Sequence, residues 1–304
     1  VLSFVLGRLL PPDKMNWQRF PFQILPGEQS GLIYKKIGIH RWQDKVPDMS
    51  RIFVNLMPQK KYNMEMTSMT LHILAMLFML CDHLWGTIVP GNDWLTCIGR
   101  IAFPIFAFMI VEGYFRTGNL KKYVGRLFFF AILSEIPFNL AMGSRLFYPV
   151  HQNVLWSFLI SLGLIHWNEK ARAAGKIWMR ILIVCVTVLL GYIVGLVTMV
   201  DFYHAGIMTV LVFYFFRQKK WWCYTGQLLC LWYINMELLG GFGYELTLFG
   251  KPFFLHRQSF ALLALIPIWL YRGRQGYKSK PFQYFCYAFY PAHLLILGLL
   301  KMFL

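Results

Sequence analysis

The chain has 304 residues, of which 58% are hydrophobic and only 14% are charged. A soluble globule of this size needs more polar residues to cover its surface, so the composition excludes a soluble cytosolic enzyme. The net charge of +17 arises from Lys and Arg in short clusters between apolar runs. Such clusters are typical of membrane topology signals and do not form an extended nucleic-acid groove. The sequence therefore predicts an integral membrane protein that binds lipids and no nucleic acid.

The apolar runs predict the fold class. Because about 20 residues of helix cross a hydrocarbon core, the runs indicate an all-α, polytopic bundle of about nine transmembrane helices. The predicted spans are residues 70–89, 97–115, 123–142, 153–167, 177–200, 203–216, 221–239, 258–271 and 284–303.

Basic residues predict the orientation of the bundle. They cluster in every second loop, whereas the loops after the first and fifth spans contain no Lys or Arg. The positive-inside rule then places residues 13–66 in the cytoplasm and the C-terminus outside. The clusters are Arg116, Lys121 and Lys122; Lys170, Arg172 and Lys176; Arg217, Lys219 and Lys220; and Arg272, Arg274, Lys278 and Lys280.

The N-terminal part differs from the rest of the chain. Residues 1–66 are predicted to form a cytoplasmic segment, and residues 67–304 the transmembrane domain. Residues 1–10 are apolar but too short to span a membrane, so they are either the end of a longer helix or an unusual start of the chain. The polar, proline-containing stretch that follows is typical of turns.

Ionisable and amide side chains within apolar spans carry most of the functional information. Each costs a few kcal/mol in lipid and therefore faces a partner, a cavity or a site. With the predicted orientation, most of them converge on the outer half of the membrane, and Glu112 near the inner side is the exception. The set of interest is Asp82, His83, Arg100, Glu135, Asn153, Asp201, Gln258 and His293. The six cysteines form no CxxC motif, and no metal site or bound cofactor is predicted.

Within this set, His83 is the candidate general base, because an imidazole takes up and returns a proton near neutral pH. Consecutive helical residues point about 100° apart, so Asp82 does not face the same way as His83. Glu135 or Asp201 is the predicted partner that orients His83. A structural interpretation stays open for each residue, as a hydrogen bond between helices or, for Asp82 and Arg100, as an ion pair.

Five strings around these residues resemble the TraX family of membrane acetyltransferases. They are LHILAMLFMLCDHLWG, IGRIAFPIFAFMIVEGYFRTGNLKKYVGRL, ILSEIPFNLA, QSFALLALIPIWLYRGRQG and YFCYAFYPAHLLIL. Asp82 and His83 match the family's DH pair, Arg100 its GR, Glu135 its SEIPF and His293 its YPxH. The resemblance covers about three quarters of the chain and includes the costly polar residues.

The resemblance implies an acyltransferase of the bacterial inner (plasma) membrane with acetyl-coenzyme A as co-substrate. The acceptor would be a pilin-like N-terminal amine, or an amine or hydroxyl of an envelope glycan or lipid, at the extracytoplasmic face. Candidate catalytic residues are His83, Asp82 and Glu135, and candidate donor- or substrate-binding residues are Arg100, Asn153, Asp201, Gln258 and His293. Two alternatives stay open: a transporter or flippase with a polar permeation path, and a non-catalytic membrane assembly factor.

A second, shorter resemblance covers residues 1–60. Their sequence is similar to the cytoplasmic segment of glycosyl-4,4′-diaponeurosporenoate acyltransferases, notably in LPGEQSGLIYKKIGIHRWQDKVPDMSRI. The remainder of that enzyme has no counterpart here. The segment is therefore interpreted as a fused remnant, with Met64 or Met66 as alternative translation starts.

Overall fold

A computed structural model describes residues 66–172, 176–248, 250–277 and 279–304. The predictions made for residues 1–65, including the apolar stretch at residues 1–10 and the second resemblance, lie outside the described residues.

The described part of the chain is mostly helical. In chain order the helices are α1 Ser68–Thr87, α2 Asp93–Gly99, α3 Ala102–Arg116, α4 Leu120–Gly143, α5 Val154–Arg172, α6 Ile177–Val197, α7 Tyr203–Phe215, α8 Trp221–Tyr233, α9 Leu265–Leu270 and α10 Lys280–Phe303. A π-helical turn, Ile234–Leu238, extends α8, and a 3₁₀ helix, Arg257–Ala264, precedes α9.

The length and apolar character of these helices identify a helical membrane protein. Among the described residues, five helices are long and apolar enough to cross a membrane: α1, the combined helix Asp93–Arg116, α4, α6 and α10. On α6 the large apolar side chains Trp178, Leu182 and Val197 are exposed, as expected for a surface that contacts lipid. The other predicted spans correspond to helices that are too short or too polar to be counted as membrane-spanning by length and composition.

The core lies where α3, α5 and α7 meet. Ile105, Ile165, Ile207 and Phe213 are almost completely buried there. Aromatic rings extend the contact, because the ring of Phe103 on α3 stacks on those of Phe158 and Phe202. This packing fixes three helices at the centre of the bundle, with α1, α4 and α10 beside them.

A short hairpin interrupts the helices between α8 and α9, where the sequence predicted only a loop. Strand β1, Gly243–Leu248, pairs antiparallel with β2, Lys251–His256. The base of the hairpin is tied to α2, because Arg257 Nη2 lies 2.6 Å from Asp93 Oδ2. Trp85 Nε1 donates to the other oxygen of Asp93 at 3.2 Å. One carboxylate thus joins the hairpin to α1 and α2.

The predicted orientation can be tested with two exposed residues at opposite ends of the helix Asp93–Arg116. In a chain whose own cysteines are replaced, Asn92→Cys should react with a membrane-impermeant maleimide added to intact cells, and Lys121→Cys should react only after lysis. Labelling before and after lysis is the measurement. The reverse pattern would overturn the orientation, and equal labelling of both would overturn the span.

Candidate functional site

Two histidines that are 210 positions apart in the chain form the centre of the site. His83 lies in the last part of α1 and His293 in the middle of α10, and the distance from His83 Nδ1 to His293 Nε2 is 2.6 Å. Their rings are nearly parallel, with centroids 4.9 Å apart. His293 is buried. The partner of His83 is therefore His293, and the expectation that Glu135 or Asp201 orients it is wrong.

The hydrogen bonds assign the protons of the neutral pair. His293 Nδ1 lies 2.6 Å from the carbonyl oxygen of Phe289. A carbonyl only accepts, so Nδ1 of His293 carries the proton and its Nε2 accepts from His83 Nδ1. Nε2 of His83 then has a lone pair and forms no hydrogen bond with any described residue. The pair thus presents one basic nitrogen.

Asp82, adjacent to His83 in sequence, belongs to a separate cluster. Thr96 Oγ1 donates to Asp82 Oδ1 at 2.7 Å and accepts from Arg100 Nη2 at 3.0 Å. The guanidinium is 3.7 Å from the carboxylate, so the ion pair allowed by the sequence is present. Gly99 makes this contact possible, because a Cβ at Gly99 would overlap the side chain of Asp82.

Glu135 forms a third cluster between α4 and α5. Its Oε2 accepts from the amide of Asn153 and, at 3.1 Å, from Trp156 Nε1. Asn153 also donates to the carbonyl of Ala131 at 2.9 Å, which joins the start of α5 to α4. Glu135 Oε1 is buried without a hydrogen-bond partner among the described residues. One carboxylate oxygen is therefore available to a ligand.

His151 was missed by the sequence analysis. It precedes α5, and its Nε2 lies 3.4 Å from Asp201 Oδ1. The hydrogen bond that His151 donates to Asp201 raises the pKa of His151 and outweighs the lowering effect of burial, and the negative charge of Glu135 adds to the rise. Its ring stacks on Tyr203. His151 lies outside every predicted span, so the cost of burial in lipid did not single it out.

These clusters lie at the same end of the bundle, where α1 and α4 end and α5 begins. Asp201 is within electrostatic range of Asp82 on α1 and Tyr290 on α10. Gln258 is different, because its amide donates to Asn235 at 2.9 Å and forms no hydrogen bond with another predicted site residue in the described part of the chain. Asn235 in turn donates to the Leu231 carbonyl. The Gln258 contact joins the 3₁₀ helix to the π-helical turn.

An apolar cavity of about 260 Å³ leads towards the histidine pair. It lies between α1, α3, α4, α5 and α10. The polar residues Ser68 and Gln283 line one end of the cavity, and Val154 and Tyr290 line the other. The ring of Tyr290 is 6.3 Å from that of His83 and 5.9 Å from that of His293. Tyr290 therefore lies next to both the cavity and the pair.

Among the described residues no group of three or more His, Cys, Asp or Glu side chains could hold a metal ion. The clusters described above can transfer protons, form hydrogen bonds and pair charges.

The family follows from comparison with known proteins. A profile described as "TraX protein" matches residues 67–301, which contain every cluster described above. The chain belongs to the TraX family. This TraX protein is 25% identical over 254 residues to a relative described as "Probable fimbrial assembly protein FimC, serogroup H1" from Dichelobacter nodosus. The match covers 80% of this chain and 98% of the relative. No solved structure matches the TraX chain significantly.

The raised pKa of His151 predicts a pH dependence of stability in this TraX protein. Charged His151 stabilises the fold through Asp201, and this contribution is complete below the ordinary histidine pKa of about 6.5 and lost as the pH rises through the higher folded pKa. His151→Gln should therefore lower the melting temperature at pH 5.5 and change it little at pH 9. A partly exposed pair of this kind contributes about 0.2–1 kcal/mol.

Asp201→Asn is the matched control for this ion pair. In the Asp201→Asn background, the pH dependence of the His151→Gln effect should be much smaller, because only the contributions of Glu135 and burial are left. A pH dependence of undiminished size in this background would show that Asp201 is not the main partner.

Proposed function

We propose that this TraX protein is an integral membrane acyltransferase that uses acetyl-coenzyme A. It would transfer the acyl group to an amine or hydroxyl at the extracytoplasmic face. The acceptor would be a pilin-like N-terminal amine, or a glycan or lipid of the envelope. The observation that carries the proposal is the lone pair on Nε2 of His83, which the hydrogen bond to His293 leaves unprotonated and unpaired near Tyr290, a residue that lines the apolar cavity.

The proposed reaction uses this lone pair as a general base. His83 Nε2 removes the proton from the acceptor as its nitrogen or oxygen attacks the thioester carbonyl. The new bond to the acyl carbon forms and the carbon–sulfur bond breaks. The proton on Nε2 then passes to the departing thiolate, so the products are the acylated acceptor and free coenzyme A.

The cavity supports a route for the donor. Its polar end lies at the starts of α1 and α10, and its apolar end reaches Val154 and Tyr290. Since ligand cavities are usually about 300–1,000 Å³, a cavity of 260 Å³ suits a narrow, extended chain better than a bulky group. We infer that the acyl-bearing arm of the donor enters here and that Tyr290 moves aside to admit it to His83.

Glu135 and Arg100 would bind polar groups of the reactants. The unpaired Oε1 of Glu135 can accept a hydrogen bond from an amine or hydroxyl, and satisfying it removes the cost of a buried, unpaired oxygen. Thr96 and Asp82 hold the guanidinium of Arg100, and its positive charge lies near the histidine pair. That charge would stabilise negative charge on the thioester oxygen during attack.

The proposal includes the membrane arrangement predicted by the sequence. In a bacterial plasma membrane, nine spans with residues 13–66 in the cytoplasm and the C-terminus outside would place the polar end of the cavity on the cytoplasmic side. The donor would then enter from the compartment that contains acetyl-coenzyme A. The acceptor would approach Glu135 and His151 from the opposite side.

A non-catalytic role in assembly is the second candidate, because the relative from Dichelobacter nodosus is described as a fimbrial assembly protein. The same description supports a pilin-like acceptor if the protein is an enzyme. Purified protein incubated with radiolabelled acetyl-coenzyme A and pilin peptides separates the two. Labelled peptide with release of free coenzyme A supports transfer, and intact protein without turnover supports the assembly role.

His83 variants test the chemical role directly. His83→Ala should reduce transfer by about 10²- to 10⁴-fold, the usual contribution of general acid–base catalysis. His83→Asn should lose as much activity, because its amide can replace Nδ1–H as the donor to His293 but supplies no base. Initial rates and donor affinity are the measurements, and donor affinity should stay nearly unchanged.

Asp82→Asn is the matched control, since it alters the adjacent charge and keeps His83, and its loss should be much smaller. Full activity in His83→Asn would show that the hydrogen bond to His293 is the whole role of His83.

Filling the cavity tests the donor route. Val154→Phe adds bulk at the end near Tyr290 and should reduce transfer by about 10²-fold, because even a small misplacement of a reacting group is costly. Leu133→Phe, at an exposed position on α4, is the control and should leave the rate unchanged. The transfer rates are measured with acetyl-coenzyme A as donor. Equal rates in both variants would exclude this cavity as the path of the donor.

A further inference from the structure

A second cavity lies at the end of the bundle remote from the histidine pair. Its volume is about 260 Å³, and it is formed by the end of α3, the connection between α7 and α8, and the segment after α9. Four basic side chains and one acidic side chain line it: Arg116, Arg217, Lys219, Arg272 and Glu112. None of these residues takes part in the proposed acyl transfer. We call this space the basic cavity.

The single carboxylate cannot neutralise the cations around it. Glu112 Oε2 lies 2.8 Å from Arg116 Nη2, and Glu112 Oε1 lies 2.7 Å from Arg217 Nε. One negative charge is thus shared by two guanidinium groups. Lys219 Nζ donates to the carbonyl of Tyr271 at 3.0 Å, and a neutral oxygen leaves the ammonium charge uncompensated. The basic cavity therefore keeps an excess of positive charge.

Its hydrogen-bond donors are held in position. The Arg217 guanidinium lies 4.3 Å from the ring centroid of Phe115 and bonds to Glu112 through Nε, so its orientation is set. Its two terminal nitrogens donate to no described residue. A guanidinium that presents two parallel N–H groups from a fixed plane matches the oxygens of a phosphate.

An unpaired amide provides an independent observation. Gln218, between Arg217 and Lys219, lines the basic cavity, and its Oε1 is buried with no hydrogen-bond partner among the described residues. Leaving such an atom unpaired is costly. The oxygen and nitrogen of an amide exchange places by a simple flip, which would direct an NH₂ group to an acceptor in the cavity. An anion with several oxygens would therefore satisfy Gln218 as well as the cations.

We propose that the basic cavity binds a phosphate-bearing anion through Arg217, Gln218 and Lys219. The phosphate oxygens accept from the free N–H groups of Arg217, from the Lys219 ammonium and from the flipped Gln218 amide. Phosphate fits better than a single carboxylate, because three separate side chains contribute donors. The source of the phosphate is either a soluble diphosphate or the headgroup of an anionic lipid. The site does not depend on the acyl-transfer proposal.

The test uses the full chain in detergent, with inorganic pyrophosphate as the probe and calorimetry as the readout. Pyrophosphate should bind the unmodified protein, and Lys219→Gln should weaken binding about tenfold, since a charge-assisted hydrogen bond is lost. Lys220→Gln is the matched control. Lys220 is the next residue, equally exposed, but it does not line the cavity and should leave binding unchanged. Gln218→Met provides a second variant and should also weaken binding.

Two arms identify the source. Displacement of pyrophosphate by adenosine diphosphate assigns the site to a soluble diphosphate. Loss of pyrophosphate binding when phosphatidylglycerol replaces a third of the phosphatidylcholine in nanodiscs assigns it to a lipid headgroup. Absence of pyrophosphate binding in phosphatidylcholine nanodiscs and in detergent would overturn the proposal. Equal weakening of pyrophosphate binding by Lys219→Gln and Lys220→Gln would also overturn the proposal, because the affinity would then depend on net charge alone.

Discussion

Hydrocarbon neither hydrates a charge nor completes an unmade hydrogen bond, and this constraint governs where the polar side chains of the bundle find partners. Asp82 is paired with Thr96 and Arg100, and Glu135 is bound by Asn153. Each cluster joins two helices, so the same bonds that reduce the cost of burial also help to fix the relative positions of the helices. The polar groups that stay unpaired under this constraint are the most informative for function.

The sequence predicts which polar residues belong to the site better than it predicts which of them contact each other. The cost of burial in lipid marked Asp82, His83, Glu135 and His293 individually, and the apolar runs together with the family motifs predicted a chain of membrane-spanning helices. The pairing of His83 with His293 has no local signal, because the residues are 210 positions apart and only the packing of α10 against α1 brings them together. His151 escaped because it lies outside every apolar run, where a polar residue is unremarkable by composition.

The charged groups at the two ends of the bundle differ in how their charge depends on pH. Near Asp201, a carboxylate is balanced by a histidine whose charge depends on pH. Near Glu112, one carboxylate is surrounded by permanently charged guanidinium groups. The segment after α9 borders both cavities, since Tyr271 lines the basic cavity and Gln275 and Tyr277 line the apolar one. A displacement of this short segment would therefore alter both spaces together.

The hydrogen-bond chain through the histidines is closed at one end. It runs from His83 through His293 to the carbonyl of Phe289, and that carbonyl has no proton to exchange. A proton arriving at Nε2 of His83 consequently has no exit through the interior of α10, and it must leave from the nitrogen where it arrived. Such a dead end would keep the proton of the proposed reaction on Nε2 of His83 until the departing thiolate takes it, so that no side chain of α10 would carry it onward.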